Sequence, residues 1–453
     1  MTESVRFDWK SERHATQFVL TRLEEVVACS PAAQALQDRL YRETGTRLFD
    51  WIDHLAFPES DLPASTLYEL GFASQDGEHG VVYTHPAAML PPIVSHTDKS
   101  LRLAIKVDSV VDFLAAHRLP LHDEIVGAAL SSHRAVRFDE DGDVELWAVE
   151  RHGDRGFAQP RNPASAESVL THEETFRLRR RRFENAADGF AHTTNLIRDA
   201  ATDLDCNRAC DLFFAAEREY WQRRNHAARV QKARQDRLGL GWANHDHHTY
   251  RSSREHFHRL VAVLEQMGFA CRERFYAGRE AGWGAQVLEQ AACGITVFAD
   301  VDLAEDEVLG DFAHEPLEPR EQLGTVGLWC KLHGEAFLEA GMHHLECQFD
   351  FDAAREQLAA EGIDTMAPFT DFPHLRQAFT AGEMWPVDAH RIAAARQNGW
   401  IDHAQADRFA AEGALGSHLE ILERNDGYKG FNQTGISEII RKTDPRQQLA
   451  VDS

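Results

Sequence analysis

The sequence predicts an α+β fold of tandem, paired βαβββ modules with a helical insertion between the pairs. Three observations point there. A unit of one strand, one helix and about three further strands recurs four times along the chain, in two pairs. Between the pairs, residues 161–240 are charged, helical in period and poor in β-branched residues. The 453 residues are enough for two or three domains with a sizeable core.

Residues 1–50 open the chain as helices, with apolar residues at three- and four-residue spacing in "ATQFVLTRLEEVVACSPAAQALQDRLYRE". The first pair of modules occupies 51–160. "WIDHLAF" reads as a strand, "LPASTLYELGF" as a short helix and "HGVVYTH" as a strand. The next unit begins with the strand "LRLAIKV" and the helix "DSVVDFLAAHRL", with Asp108 as a candidate N-cap. "IVGAALSS", "HRAVRF" and "VELWAVER" follow as strands, the last after a "DEDGD" turn. In 161–240, "RLRRRR" reads as a solvated helix face with ion pairs to interspersed Glu. That segment is a candidate homodimer surface or pocket wall.

The second pair occupies 241–453. "NHDHHTYRSS" is a strand, "REHFHRLVAVLEQMGF" a helix, and "CRERFYA", "GWGAQVLEQ" and "GITVFADVDL" are strands. The fourth unit runs from the strand "MHHLECQFDF" and helix "DAAREQLAAEGI" to the strand "SHLEILER", with a helical insertion near 386–413.

Composition narrows the function. The net charge is −25, from 48 basic and 73 acidic residues, which argues against nucleic acid as a partner, since phosphate neutralisation needs a basic surface. Arginine supplies nearly all the positive charge, only seven residues being lysine. No apolar run reaches membrane-span length, and "MTESVRFDWK" lacks the apolar stretch of a signal peptide, so no membrane partner and a cytoplasmic location are expected. The seven cysteines contain no CxxC pair; Cys206 and Cys210, one helical turn apart, have no second pair to complete a zinc site. Reduced, mostly buried thiols are expected.

Three segments of the second half carry a resemblance: "DHHTYR", "GMHHLECQFDFDAAREQLAAEGI" and "LEILERNDGYKGFNQTGISEIIRKTDPR". With the repeat, they resemble the vicinal oxygen chelate superfamily, whose paired modules curl into half-barrels around a metal. The last segment is similar to the C-terminal signature of 4-hydroxyphenylpyruvate dioxygenase, where a ligand Glu opens a strand ending in Gln-Arg before a Gly-Phe element. Glu420, Glu423-Arg424 and Gly430-Phe431 are its counterparts here. The chain also resembles the 2-oxoadipate dioxygenase/decarboxylase family, in which a ligand His is followed four residues later by a substrate-binding Arg; His247 and Arg251 match. His344-Leu345 match part of that family's second-ligand strand, but His343 stands where another residue is expected.

The resemblance implies His247, His344 and Glu420 as ligands of Fe(2+), with gaps of 97 (344 − 247) and 76 (420 − 344) residues. Two His and a carboxylate leave adjacent positions open for a chelating substrate and O2. Strand alternation puts His245, His247, Thr249 and Arg251 on one face, His344, Glu346 and Gln348 on one face, and His418, Glu420, Leu422 and Arg424 on one face. His248 and His343 point the other way, and His245 is a second ligand candidate. Arg251 is expected to clamp a substrate carboxylate, or else to pair with Glu255. Gln286 and Gln348 are candidates to donate hydrogen bonds to substrate or oxygen. The "KGFNQTGISEII" tail suits a lid or a closing helix.

The first half offers weaker ligands. His54 lies where the metal His would sit, Arg102 or Leu103 replaces the second His, and aligning Arg151 with Arg424 puts Trp147 at the Glu420 position. A metal-free partner domain is the main expectation, and a pocket of His54, His96 and Glu145 the lesser one. The implied activity is a non-haem dioxygenase acting on a small carboxylated 2-oxo acid with O2, with decarboxylation and hydroxylation. The alternatives are a non-redox metal-dependent isomerase or lyase, an extradiol ring-cleaving enzyme, and a non-catalytic small-ligand binding protein.

Overall fold

The computed structural model describes residues 8–77, 80–120, 123–157, 164–432 and 443–446. Two helices lead the chain, α1 (Arg13–Cys29) and α2 (Pro31–Thr44). Ser30 caps α2 by accepting from the Ala33 N–H, with Pro31 in its first turn. Gly45 ends it in the left-handed region at φ 67°, where a Cβ would lie 2.8 Å from the Ala354 backbone.

The first module is β1 (Ile52–Pro58), α3 (Ala64–Glu69), β2 (Ala73–Gly77), β3 (Gly80–Thr84) and β4 (Ile93–His96). The second is β5 (Leu101–Lys106), α4 (Val110–His117), β6 (His133–Asp141) and β7 (Val144–Arg151). Together they make one seven-stranded sheet in the order β2-β3-β4-β1-β5-β7-β6. The strand expected at "IVGAALSS" is absent from the second module. Gly127 at φ 91° and Leu130 at φ 63° turn the chain there, leaving a single bridge from Val126 to Ala135.

Four helices follow: α5 (Ala166–Leu178), α6 (Ala186–Leu204), α7 (Cys206–Arg223) and α8 (His226–Asp236). "RLRRRR" is not a solvated helix face. The helix stops at Leu178, and Arg179 and Arg181 turn inward to Glu217, whose side chain is fully buried. A buried carboxylate needs such pairing, which explains why these arginines leave the surface.

The third module is β8 (His245–Arg251), α9 (Phe257–Gln266), β9 (Ala270–Tyr276), β10 (Trp283–Gln290) and β11 (Ile295–Asp302). After α10 (Thr325–His333), the fourth is β12 (His344–Gln348), α11 (Phe351–Ala360), β13 (Thr370–Phe372), β14 (Leu375–Phe379), β15 (Glu383–Trp385), α12 (Ala389–Gln397), α13 (His403–Glu412) and β16 (Ala414–Arg424). Its sheet runs β13-β14-β16-β12-β8-β11-β10-β9, with β15 on β16.

In both sheets the first strand of each module pairs parallel with its last, and the two modules join antiparallel through their first strands, β1 with β5 and β8 with β12. One face of the second sheet packs Tyr250, Val297, Ala299, Leu345, Leu419 and Ile421 against helices α5, α6, α7, α9 and α11. The opposite, inner face carries Ala285 and Phe379 and is covered by Val326, Trp329 and Cys330 of α10. That helix escapes sequence reading because nearly all its residues are buried, which removes the amphipathic period.

Candidate metal centre

The inner face is built around β12, the strand between β8 and β16. Register pairs Glu346 with His247 on one side and with Glu420 on the other, so these three residues form one row across three strands. His344 stands one pleat along the same face. Side chains from the row and from His344 converge. The His247 Nε2 lies 2.6 Å from Glu346 Oε1, and the His344 Nε2 lies 2.7 Å from the same oxygen and 3.6 Å from Glu420 Oε2. The structure therefore gathers His247, Glu346 and Glu420 with ligand atoms within 4.8 Å of one another, and sets His344 against Glu346 and Glu420. All four are buried.

A hydrogen-bonded frame stands behind this cluster. The His247 Nδ1–H donates to Asp246 Oδ1 at 2.8 Å, which directs the Nε2 lone pair at the cluster. Asp246 in turn accepts from Arg424 Nε and Nη2 at 2.7 and 2.9 Å, and from Gln348 Nε2 at 3.1 Å. Burial opposes ionisation of Asp246, but Arg424 and His247 hold it below the usual carboxylate range. The two Nδ1 atoms of His343 and His344 share a hydrogen bond of 2.6 Å, and Gln377 Nε2 donates to Glu420 Oε1 at 2.7 Å.

Burial sets the protonation of the cluster. It lowers His247 to about 4 and pushes His344 well below its ordinary value, so both imidazoles are neutral near pH 7. It raises Glu420 to about 7, and raises Glu346 well above the carboxylate range with Glu420 beside it adding to the effect. Neutral imidazoles beside carboxyls that resist ionisation are a set that a cation would complete. Neither Glu346 nor Glu420 has an Arg or Lys nitrogen within 4.0 Å among the described residues.

Arg251 lies on the same face, 1% exposed, with Nε and Nη1 lacking any hydrogen-bond partner among the described residues. Glu255 does not pair with it; that side chain is 66% exposed and lies 3.6 Å from His256. Register sets Asp300 beside Arg251, and burial pushes Asp300 up to about 8, so the guanidinium faces a carboxyl that is largely protonated at neutral pH. The Arg251 guanidinium stands 5.6 Å from the Trp329 ring. Phe298 and Phe431 wall His247 at 4.8 and 5.0 Å between ring centres, and Phe379 walls His344 at 5.1 Å.

Other expectations need correction. His245 is not on the face of His247. A register shift at Asp246 gives β8 one extra residue, so Asp246 reaches His247 while the His245 ring packs 5.1 Å from His248 on the helix-covered side. His343 does not point away. It precedes the strand, outside the pleat alternation, and packs against His344, Trp329 and His418. Gln286 is not brought to the cluster: it shares the face of Ala299 and Tyr250, and its amide donates to the Glu273 and Val287 carbonyls. Gln348 stands one pleat beyond Glu346 and supports Asp246. The "KGFNQTGISEII" tail is described as far as Asn432, which donates to Thr370; Gly435 and the rest of 433–442, on which the expected lid or closing helix falls, lie outside the described residues.

Sequence reading missed Asp246, Gln377 and Glu346 as parts of the site. Glu346 carried a signal, since it shares the face of His344. Gln377 carried none, because β14 is short and was not expected. A groove of 1390 Å³ between α1, α2 and α11 has Gln348 and Arg424 in its lining but none of His247, His344, Glu346 or Glu420. The seven cysteines are free, with Cys210, Cys330 and Cys347 buried but Cys29 and Cys271 exposed, so fewer are buried than expected. No described helix is long and apolar enough to cross a membrane.

No protein-family model and no curated protein matches the chain. Among solved structures it is similar to a mutant of 4-hydroxymandelate synthase from Streptomyces coelicolor, at 13% identity over 87% of this chain and 97% of that one, with a TM-score of 0.30. It is similar to a xylose isomerase-like TIM barrel/4-hydroxyphenylpyruvate dioxygenase fusion protein, at 12% identity over 96% of this chain and 57% of that one, with a TM-score of 0.23. Methylmalonyl-CoA epimerase from Mycobacterium tuberculosis matches at 12% identity over 40% of this chain and 89% of that one, with a TM-score of 0.24. These are loose likenesses, and the fold is read from the strand order itself. With first and last strands parallel in every module and modules joined through their first strands, the chain has the tandem paired-module α+β fold that its sequence predicts, the second module being one strand short of βαβββ.

Proposed function

We propose that this chain is a non-haem Fe(II) dioxygenase acting on a small carboxylated substrate, a 2-oxo acid, with O2 as co-substrate. The observation that carries the reading is the convergence of His247, His344 and Glu420 on one buried face of three adjacent strands. The donor set fits a divalent metal: two neutral imidazoles, buried carboxyls without a basic partner, and a Glu346 Oε2 that is buried without a hydrogen-bond partner. His247, His344 and Glu420 would hold the ion. Bound iron supplies the redox chemistry that couples O2 to a chelated substrate.

The chain's own residues do the rest. Asp246 fixes the tautomer of His247, and Arg424 keeps Asp246 ionised. Arg251, with two unpartnered N–H groups on the same face, binds the substrate carboxylate. Phe298, Phe379, Phe431 and Trp329 exclude water around these groups. The test is metal analysis of anaerobically purified protein followed by oxygen-electrode assays with a panel of 2-oxo acids. Stoichiometric iron and substrate-dependent oxygen uptake are expected. Stoichiometric zinc or manganese with no oxygen uptake would overturn the reading.

A second reading keeps the metal and changes the reaction. Glu346 gives the cluster a second carboxylate, which suits a non-redox ion acting as Lewis acid in an isomerase or lyase. Turnover without oxygen consumption is its mark.

A further inference from the structure

We propose that Glu346 is a ligand of the same ion in the substrate-free protein, so that the donor set is two imidazoles and two carboxylates rather than two and one. The inference rests on the metal-centre reading above and goes beyond it. Its first support is register. His344 is diagonal to His247, whereas Glu346 lies in the row that joins His247 to Glu420 across three strands. Glu346 stands between the two residues, His247 and Glu420, that would share an ion across these strands.

The second support is contact geometry. Glu346 Oε1 is 2.6 Å from one imidazole Nε2 and 2.7 Å from the other, with the Thr249 hydroxyl 3.4 Å away. The Nδ1–H of His247 is spent on Asp246, so its Nε2 carries a lone pair. The Nε2 of His344 donates to Glu346 or accepts from it according to which of the facing Nδ1 atoms of His343 and His344 carries the proton between them. The other oxygen, Oε2, is buried with no partner among the described residues. A cation here would take up the His247 Nε2 lone pair and the unpartnered Glu346 oxygen together.

The third support is charge. Glu346 and Glu420 are each 2% exposed at the side chain, with no basic side chain on either. Two buried carboxylates are costly unless compensated, and a dication bound by both gives a neutral centre. A single-carboxylate centre would carry one positive charge. With Glu346 bound, attraction of an anionic substrate would fall to Arg251.

The experiment uses the full chain with Co(II) and Mn(II) as probes. Glu346→Gln keeps the shape of the side chain, and Glu346→Asp keeps its charge but withdraws the carboxylate. Calorimetry of E346Q is expected to show metal affinity lowered by at least about tenfold. Water-proton relaxation of the Mn(II) protein should rise as water takes the vacated position, and the Co(II) visible band should shift. E346D should show the same relaxation change with its charge intact. Weaker binding with unchanged relaxation and an unchanged Co(II) band would overturn the proposal, since Glu346 would then act through charge alone. Unchanged affinity in E346Q would also overturn it. Glu420→Gln and His247→Ala separate the two readings. If these lose the metal while E346Q does not, only the role of Glu346 falls; if the wild type binds neither probe, the metal centre falls with it.

Discussion

The two sheets carry the same frame around different contents. In the first, Asp53 pairs with Arg151 at 2.9 and 2.7 Å, and the His54 Nδ1–H donates to Asp53 at 2.7 Å. In the second, Asp246, Arg424 and His247 repeat this at nearly equal distances. Both Asp-His pairs sit at a register shift. Phe157 packs on His54 at 4.8 Å and under Arg151 at 4.9 Å; Phe431 packs on His247 at 5.0 Å and under Arg424 at 4.9 Å.

What differs is the row. Where the second sheet has Glu346 and Glu420, register gives the first Ala104 and Trp147, and Arg102 takes the place of His344. Arg102 pairs with Glu145 at 2.9 Å and with Asp98 at 2.7 Å. The first sheet thus has its own cation, covalently attached. The frame is a structural device of the paired modules, and the chemistry resides in a few side chains mounted on it.

Removing a ligand should separate the sheets most sharply. His247→Ala, His344→Ala or Glu420→Gln is expected to abolish stoichiometric metal binding and turnover, while His54→Ala leaves metal content unchanged, as measured by elemental analysis. Loss of metal from H54A would break the distinction between the two sheets.

The shared frame gives the next effect. Arg151→Leu and Arg424→Leu each leave a buried Asp without its cationic partner, and each should lower the free energy of unfolding by about 3 kcal/mol in urea titrations. Only R424L should also weaken metal binding. Equal metal affinity in the two variants would mean that the Asp–Arg frame does not tune the ligand.

Arg251→Gln should raise KM for the carboxylate substrate by about tenfold with metal content intact, the loss of one charge-assisted hydrogen bond. A fall in kcat alone would move Arg251 from binding to chemistry.

The smallest effect belongs to His133 on the first sheet, lowered to about 4 by burial and by the charge of Arg151. The unfolded chain takes up a proton near 6.5, before the folded one does. His133 therefore contributes to the loss of stability as pH falls from about 6.5 toward 4, and about 1 kcal/mol of that is lost by about pH 5.5. His133→Gln should flatten this acid limb in unfolding curves taken across the range; an unchanged limb would assign the acid sensitivity elsewhere.

The sequence by itself determined the order of the modules, the helices of 161–240, and the placing of His247, His344, Glu420 and Arg251 on strand faces. These are local properties: a strand alternates with period two, and a module repeats because each one buries the same face. The tertiary structure decided what neighbouring residues cannot encode. The extra residue at Asp246 sends His245 to the helix side, because a bulge is set by the partner strand. Pairing of β12 with β8 and β16, strands about a hundred and about seventy residues away, puts Glu346 between His247 and Glu420. The register of β10 on β11 and of β11 on β8 turns Gln286 toward the helices, and pairing of β14 with β16 brings Gln377 to Glu420. Register between strands distant in sequence follows from packing of the whole sheet, so it is there that the convergence of these side chains was settled.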